Sequence, residues 1–255
     1  MSPLHAIAIF AAGIAAGTIN TVVGSGTLIT FPVLLGFGYP PVVANVSNTV
    51  GLVPGSASGA VGYRRELAGQ GHRGAALAGA SLIGGIIGAV LLLSLPASAF
   101  EAIVPVFIGI ALVLIVLQPR ISRLLATHRP HRRRRTGRAG PLTTAAVGIG
   151  GIYGGYFGAA QGILNLAVLS LGLDDDLQRL NALKVVLTGL VNLVSGVIFV
   201  FVAHVAWGAA GLIAAGSLLG GMLGARVGRR LPAPVLRVVI VGVGIFAIVH
   251  LVGGG

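Results

Sequence analysis

Long apolar stretches separated by short polar joints follow one another along nearly the whole chain. Ten such segments can be delimited, at approximately 4–23, 27–37, 42–63, 75–95, 101–118, 141–158, 162–173, 180–203, 207–225 and 235–252. Most hold roughly 17 to 25 residues, the length at which a helix rising about 1.5 Å per residue crosses about 30 Å of hydrocarbon. The pattern predicts an all-α polytopic integral membrane protein, and 55% hydrophobic residues agree with it.

The second five segments repeat the first five in outline. At an offset of about 136 residues, Gly26 aligns with Gly162, Asn45 with Asn181, and Asn48 with Lys184. Few residues are identical between the two halves, but the alignment agrees with the lengths of the segments. We therefore predict a first transmembrane repeat over 1–118, an arginine-rich cytoplasmic linker over 119–140 and a second transmembrane repeat over 141–255.

The positive charges predict how the segments are oriented. Fifteen of the sixteen arginines fall in three patches, at 64–73, 120–138 and 226–237. Because basic loops stay on the cytoplasmic side, all three patches are expected inside. The two repeats must then be inverted in a multi-pass protein of the cell (plasma or inner) membrane, with both termini outside. No basic region precedes the first segment, which argues against a cleaved signal peptide.

Segments 27–37 and 162–173 are too short to cross comfortably. In the predicted topology each must return to the side from which its preceding helix came. Each repeat would then open with a helical hairpin, broken or re-entrant, followed by three transmembrane helices. We expect the tips, at 24–26 and 160–162, to meet near the midplane, where glycine permits a sharp reversal. Two complete crossings per hairpin remain an alternative.

Polar residues concentrate around these two tips. A helix begins after each tip, and its N-terminus offers free N–H donors and roughly half a positive charge, which suits an anion. The candidate substrate-binding residues are Asn20, Thr21, Gly24, Ser25, Gly26, Thr27, Asn45, Asn48, Gln161, Gly162, Asn165, Asn181 and Lys184. For any single Ser, Thr or Asn the alternative role is hydrogen bonding between helices.

Lys184 is the only lysine of the chain and lies in an apolar run. A cation is costly inside a bilayer and usually faces protein, water or a counter-ion. We expect Lys184 to face an anion pathway. The alternatives are that it extends to the cytoplasmic headgroups or pairs with an acidic residue of 174–176.

Several other classes of function fit the sequence less well. The chain has no cysteine and its histidines lack metal-type spacing, so no metal and no cofactor are expected. Ser25 lies between glycines, but His204 and His250, the histidines it would need as a base, are expected near the outer surface. No catalytic residue is assigned and an enzyme is not expected. The basic run 128–138 is interpreted as a cytoplasmic loop near anionic lipid, without nucleic acid as a partner.

The motifs around the tips resemble those of a known transporter family. The stretches NTVVGSGTLITFPVLL (20–35) and ANVSNTVGLVPGSASG (44–59) are similar to the TauE/SafE family of membrane exporters. GGYFGAAQGILNLAVLSLG (154–172) and RLNALKVVLTGLVN (179–192) look like the weaker second repeat of that family. The resemblance covers nearly the whole chain and marks Asn20, Gly24, Gly26, Pro32, Asn45, Asn48 and Pro54 as motif positions. Ser25 departs from it, because many relatives are expected to have glycine there.

The resemblance implies export of sulfite or of small organosulfur anions such as sulfonates. Combined with the residues, it predicts a transporter that moves a small anionic substrate by alternating access of the two inverted halves. Lys184 would supply the charge, the two hairpin helices the N–H donors, and Asn45, Asn48, Asn181 and Gln161 the orienting hydrogen bonds. An anion channel, or a non-transporting scaffold that binds partners through the basic loop, remains the alternative. The oligomeric state is left open.

Overall fold

The computed structural model describes residues 1–127, 139–227, 241–242 and 245, and every regular element in that part of the chain is a helix. In chain order the helices are α1 (Pro3–Val22), α2 (Thr27–Gly36), α3 (Pro41–Gly62), α4 (Arg64–Leu67), α5 (Gly71–Ser94), α6 (Ala97–Thr127), α7 (Pro141–Tyr156), α8 (Gln161–Gly172), α9 (Leu177–Val202) and α10 (Trp207–Val227). The predicted all-α fold is confirmed. The last predicted segment, 235–252, lies almost wholly outside the described residues, as does the basic run 128–138.

Local sequence explains where several of these helices begin. α1, α3 and α7 each start at a proline, whose fixed φ suits the first helical position and whose missing N–H would have no partner there. Before α1, the Ser2 hydroxyl accepts a hydrogen bond from the His5 N–H at 3.2 Å. α6 continues nine residues past the predicted end at 118, and α4 was not predicted.

Five helices of the described part are long and apolar enough to cross a membrane. They are α1, α5, α9, α6 over Ala97–Leu117 and α10 over Trp207–Arg226. α2 and α8 hold only 10 and 12 residues, about 15 and 18 Å of helix. α3 has sufficient length but is less apolar, because it buries Asn45, Ser47, Asn48, Thr49 and Ser56. The predicted short segments are thus short helices.

α5 and α10 each pack against the other half of the chain. α5 contacts α7 and α9, and α10 contacts α1 and α3. A Cβ at Gly88 of α5 would lie 2.1 Å from the carbonyl oxygen of Ile152, and one at Gly220 of α10 would lie 2.1 Å from that of Ile14. Small residues permit such close approach of helix backbones. We call α1, α2, α3 and α10 bundle A, and α5, α7, α8 and α9 bundle B.

The helices of the two bundles run in opposite directions. In bundle A, α3 and α10 are parallel, because Gly51 faces Ile213 while Gly62 faces Ala225. Comparable registers make α1 parallel to α10, and make α7 and α9 parallel to α5. Between the bundles, α3 and α9 are antiparallel. Gly59 lies against Val185 near one end of the helix pair, Ser56 against Gly189 further along, and Val50 against Gly196 near the other end. Inverted repeats require this arrangement.

A polar cluster fastens the start of α9 to the start of α5. Asp175 forms salt bridges with Arg73 of α5 and with Arg179 of α9, the latter at 3.0 Å. The Gln70 amide donates hydrogen bonds to the carbonyls of Glu66 and Arg179. Asp175, one of the three acidic residues considered as partners of the buried lysine of α9, thus pairs with arginines.

Candidate functional site

The two hairpin tips touch each other through their backbones. The Gly162 N–H donates a hydrogen bond of 3.0 Å to the Gly24 carbonyl. Gly24 has φ +90°, and a Cβ there would lie 2.4 Å from the Gly162 Cα. No side chain fits at either position, which explains why both are glycine. The predicted meeting of the tips is observed, and Ser25 and Gln161 are the immediate neighbours of the contact.

The second tip lies slightly earlier in the chain than predicted. α7 ends at Tyr156 and α8 already begins at Gln161, so residues 157–160 make the reversal instead of 160–162. Gly158 has φ +78° and Ala160 has φ 60°. Ala160 is the only non-glycine residue with positive φ in the described part of the chain. Such backbone strain in a non-glycine residue tends to occur at functional sites.

Lys184 is completely buried and binds the end of α1. Its ammonium donates hydrogen bonds to the carbonyls of Thr21, at 3.2 Å, and Asn20, at 3.4 Å, in the last turn of that helix. Cations are favourable at this position, because the C-terminus of a helix carries roughly half a negative charge. The side chain neither extends to a surface nor pairs with residues 174–176.

Asn181, Asn20 and Ser56 make further hydrogen bonds around the end of α1 that binds this ammonium group. The Asn181 amide donates to the Thr21 carbonyl at 3.4 Å, and its side-chain oxygen is buried without a described partner. The Asn20 amide donates to the Ser56 hydroxyl at 3.4 Å. We call Lys184, Asn181, Asn20, Thr21 and Ser56 the lysine cluster. It joins α1 and α3 of bundle A to α9 of bundle B.

The N-terminus of α2 carries donors without protein partners. Within the described residues, the backbone N–H groups of Ser25, Gly26 and Thr27 make no hydrogen bond, and Gly26 gives no side-chain cap. The buried Ser25 hydroxyl likewise has none. This short stretch of chain therefore offers up to four donors, within seven residues of the carbonyls that hold Lys184. This geometry suits an oxyanion.

The second tip does not offer an equivalent set of donors. The N–H groups of Gln161 and Gly162 are occupied by the carbonyls of Gly158 and Gly24. The expectation that both helix N-termini contribute alike is therefore not met in this conformation. α8 instead provides side chains: the buried Gln161 Nε2 and both amide atoms of Asn165 lack described partners. These amides lie against Gly154 and Gly150 of α7.

Asn45 and Asn48 form a second cluster at the other side of the tips. The Asn45 amide donates to the Tyr156 carbonyl at the end of α7, at 3.0 Å, as Asn181 does at the end of α1. Asn48 donates to the Thr27 hydroxyl at 3.2 Å and accepts from that of Thr30. We call Asn45, Asn48, Thr27 and Thr30 the asparagine cluster. Eight residues, or about 12 Å of α3, separate Asn48 from Ser56, so the asparagine cluster is separate from the lysine cluster.

The charges around the tips do not cancel. The negative end of α1 and the positive end of α2 lie side by side, each roughly half an elementary charge, which leaves the Lys184 ammonium uncompensated. In the described residues the salt bridges join only Asp175 to Arg73 and Arg179. A buried cation without a carboxylate partner is a strong candidate for binding an anion.

Two groups of functional candidates were missed from the sequence. Ser56 aligns with the polar Asn192 at the repeat offset, a signal that could have identified it. An aromatic cluster beside the second tip had no comparable signal: Phe157 packs on Phe31 of α2 and Phe100 of α6, with ring centroids 5.2 and 5.9 Å apart. Apolar side chains in an apolar chain do not reveal which neighbours they meet.

Comparisons with known proteins agree with the motif resemblance. The family model described as Sulfite exporter TauE/SafE matches residues 9–251. The chain is 25% identical over 244 residues to the "Probable membrane transporter protein YfcA" of Escherichia coli (strain K12), covering 94% of this chain and 88% of that protein. It is 28% identical over 230 residues to a "Probable membrane transporter protein" of Haemophilus influenzae, covering 86% and 83%. No solved structure matches the chain.

Proposed function

The chain belongs to the TauE/SafE sulfite exporter family of membrane transporters, and from this we propose that it exports a small sulfur oxyanion, sulfite or a sulfonate. Transport would proceed by alternating access around the hairpin tips. The observation that carries the proposal is the fully buried Lys184 ammonium, held by two carbonyls of α1 without a carboxylate partner in the described structure.

The proposed substrate site combines one full charge with several fixed dipoles. The oxyanion would bind between Lys184 and the free N–H groups of Ser25, Gly26 and Thr27. The Ser25 hydroxyl and the Gln161 amide would donate further hydrogen bonds. Asn181 would hold the Lys184 side chain and the α1 carbonyl in place, whereas Asn48, already bonded to α2, would keep the position of that helix.

The two antiparallel bundles supply a physical basis for alternating access. One backbone hydrogen bond joins the tips directly, between Gly162 and Gly24. The packing of Phe157, Phe31 and Phe100 closes one side of the tips with apolar rings. Rocking of bundle A against bundle B would open that side and close the other, which is how inverted repeats expose a central site alternately.

Export of an anion needs no carboxylate proton carrier. An anion leaving a cell that is negative inside gains about 2.3 kcal/mol per charge per 100 mV. The five acidic residues of the chain, Glu66, Glu101 and 174–176, lie at the ends of the apolar segments or between them. We therefore expect that the membrane potential alone can drive net efflux without a carboxylate in the middle of a span.

The deciding experiment is flux of sulfite, sulfate, sulfonates and unrelated carboxylates into proteoliposomes, with and without an imposed potential. Lys184→Met removes the charge at similar volume, and we expect at least about a tenfold loss in apparent affinity, since hydrogen bonds to charged groups contribute about 1.5–3 kcal/mol. Ser81→Ala, at a buried hydroxyl of α5 that has no described partner, is the control. Transport of no anion, or full flux by a folded Lys184→Met protein, would contradict the proposal.

An anion channel and a scaffold are the alternative functions. The closed contact between the tips favours a carrier over a channel, because a pore requires a continuous path. Discrete conductance steps in planar bilayers would identify a channel. A scaffold would bind partners through 128–138, outside the described residues. It would show no flux and would lose its partners when those arginines are neutralised.

A further inference from the structure

A cavity of about 430 Å³ opens between the ends of α3 and α10 and the short helix α4. It is separate from the hairpin tips: Gly59 of α3 faces Thr21 of the lysine cluster, whereas Ser58 and Gly62 of the same helix face α10 and the cavity. Its lining takes no part in the transport site described above.

The charge of the cavity is strongly positive. Among the described residues, Arg64, Arg65 and Arg226 line it, together with a single acidic residue, Glu66. All three arginines are exposed. Guanidinium groups present several donors in a planar fork that matches phosphate oxygens. The lining therefore favours a ligand with a phosphate group.

The wall of the cavity is apolar on the side of the membrane-spanning helices. Val61 and Met222 line it and are 63% and 44% exposed. They lie on the outer groove between α3 and α10, where Gly62 and Ala225 bring the two helices together. A free inorganic anion would gain nothing from such a wall, whereas an amphiphile would cover it with its acyl chains.

We infer that this cavity binds an anionic phospholipid. Its phosphate would bind the arginines, and the part of an acyl chain nearest the headgroup would lie along Val61 and Met222. Basic pockets between transmembrane helices are a known means of holding lipid headgroups. The bound lipid would connect α4 with the C-terminal ends of α3 and α10 in bundle A. The inference does not depend on which solute the tips carry.

The test is native mass spectrometry of the delipidated full-length protein in detergent, titrated with phosphatidylglycerol. Arg226→Gln should weaken binding about fivefold and the double variant Arg65→Gln/Arg226→Gln about 25-fold, because each basic residue near an anionic lipid contributes about 1 kcal/mol. Arg120→Gln removes an exposed arginine of α6 outside the cavity and should leave binding unchanged. Met222→Ser should weaken lipid binding while all arginines remain.

Three results would overturn the inference. The first is equal binding of zwitterionic phosphatidylethanolamine, and the second is unchanged binding by the double variant. The third is displacement of the lipid by inorganic phosphate at equal concentration, which would identify a site for the free ion. The last measurement uses only the unmodified protein, so it decides the question even if a variant does not fold.

Discussion

Lys184 and Asn48 occupy equivalent positions in the two halves of the chain but have different surroundings. Asn48 is bonded to Thr27 and Thr30 of α2 in its own bundle, whereas Lys184 crosses to the α1 carbonyls of the other bundle. One position thus holds two helices together by hydrogen bonds, and the other is a buried cation. Their unequal roles argue that the site has one charged side.

Loss of Asn48 should affect stability more than loss of an equally buried amide. Asn48→Ala removes two hydrogen bonds to α2, and we expect the free energy of unfolding to fall by about 1–2 kcal/mol, since interhelical hydrogen bonds in membrane proteins contribute about 0.6 and up to 1.7 kcal/mol each. Asn165→Ala is the control, because its amide has no described partner. Thermal or denaturant unfolding in detergent measures both. Equal losses would contradict the different roles.

Residue types could be predicted from the sequence, but their partners could not. A lone lysine in an apolar run indicates a buried, functional cation. Its acceptors, the carbonyls of Asn20 and Thr21, lie more than 160 residues away in the chain and are backbone atoms, so no residue identity marks them. For the same reason the sequence did not reveal that Asn45 and Asn181 bind the ends of the opposite hairpins.

At the scale of elements, glycine faces decide which helices pair. Gly88 of α5 lies so close to α7 that a Cβ there would stand 2.1 Å from the Ile152 carbonyl oxygen, while Gly79 of the same helix has nothing within 4 Å. The chain has 42 glycines, and this composition predicts close packing between its helices. Composition does not reveal that the glycines of α5 pack against α7 and not against the helices next to α5 in the chain.

Gly88 and Gly79 give a matched test of whether α5 packs against α7. Gly88→Ala should destabilise the protein by about 1–3 kcal/mol, because backbone atoms cannot move aside as a flexible side chain can. Gly79→Ala should be neutral or stabilise by up to about 1 kcal/mol, since alanine is the better helix former. Melting temperatures in detergent compare them. A neutral Gly88→Ala would mean that α5 does not pack on α7.

The helical type of the elements was predictable, and the helix ends were less so. Apolar length predicted the short α2 and α8, because ten or twelve residues cannot span the hydrocarbon region. The sequence predicts the second tip too late in the chain, because Gln161 and Gly162 resemble turn residues although α8 begins at Gln161. Ala160 makes the left-handed turn residue, a role for which glycine or asparagine would be the usual sequence signal.

At the scale of the whole molecule, the antiparallel bundles can be tested for their orientation in the membrane. Ser2 and Gly140 immediately precede the first helix of each half, and the chain has no cysteine to remove. In intact cells Ser2→Cys should react with a membrane-impermeant maleimide, and Gly140→Cys only after permeabilisation. Ala68→Cys, beside the arginines of α4, should behave like Gly140→Cys. Labelling of all three from one side would contradict the inverted topology.

Alternating access requires that bundle A move against bundle B, and a disulfide between them should prevent it. A Cβ at Gly196 of α9 would lie 3.6 Å from the Val50 Cα of α3, so cysteines at these positions are within disulfide range. Oxidation of the double variant should stop sulfite flux, and a reductant should restore it. The control pair, at Gly148 and Ala80, has Cβ atoms 3.7 Å apart across α7 and α5 inside bundle B.

Oxidation of the control pair should leave flux unchanged, because a bridge inside a rigid bundle does not oppose its rotation. Full flux through the protein cross-linked at Val50 and Gly196 would exclude rocking of the bundles as the transport step. In that case the movement would have to be confined to the tips, where Gly24 and Gly162 share one hydrogen bond. If both disulfides inhibited flux, the helices of bundle B would also have to shift during transport, and α5 would move relative to α7.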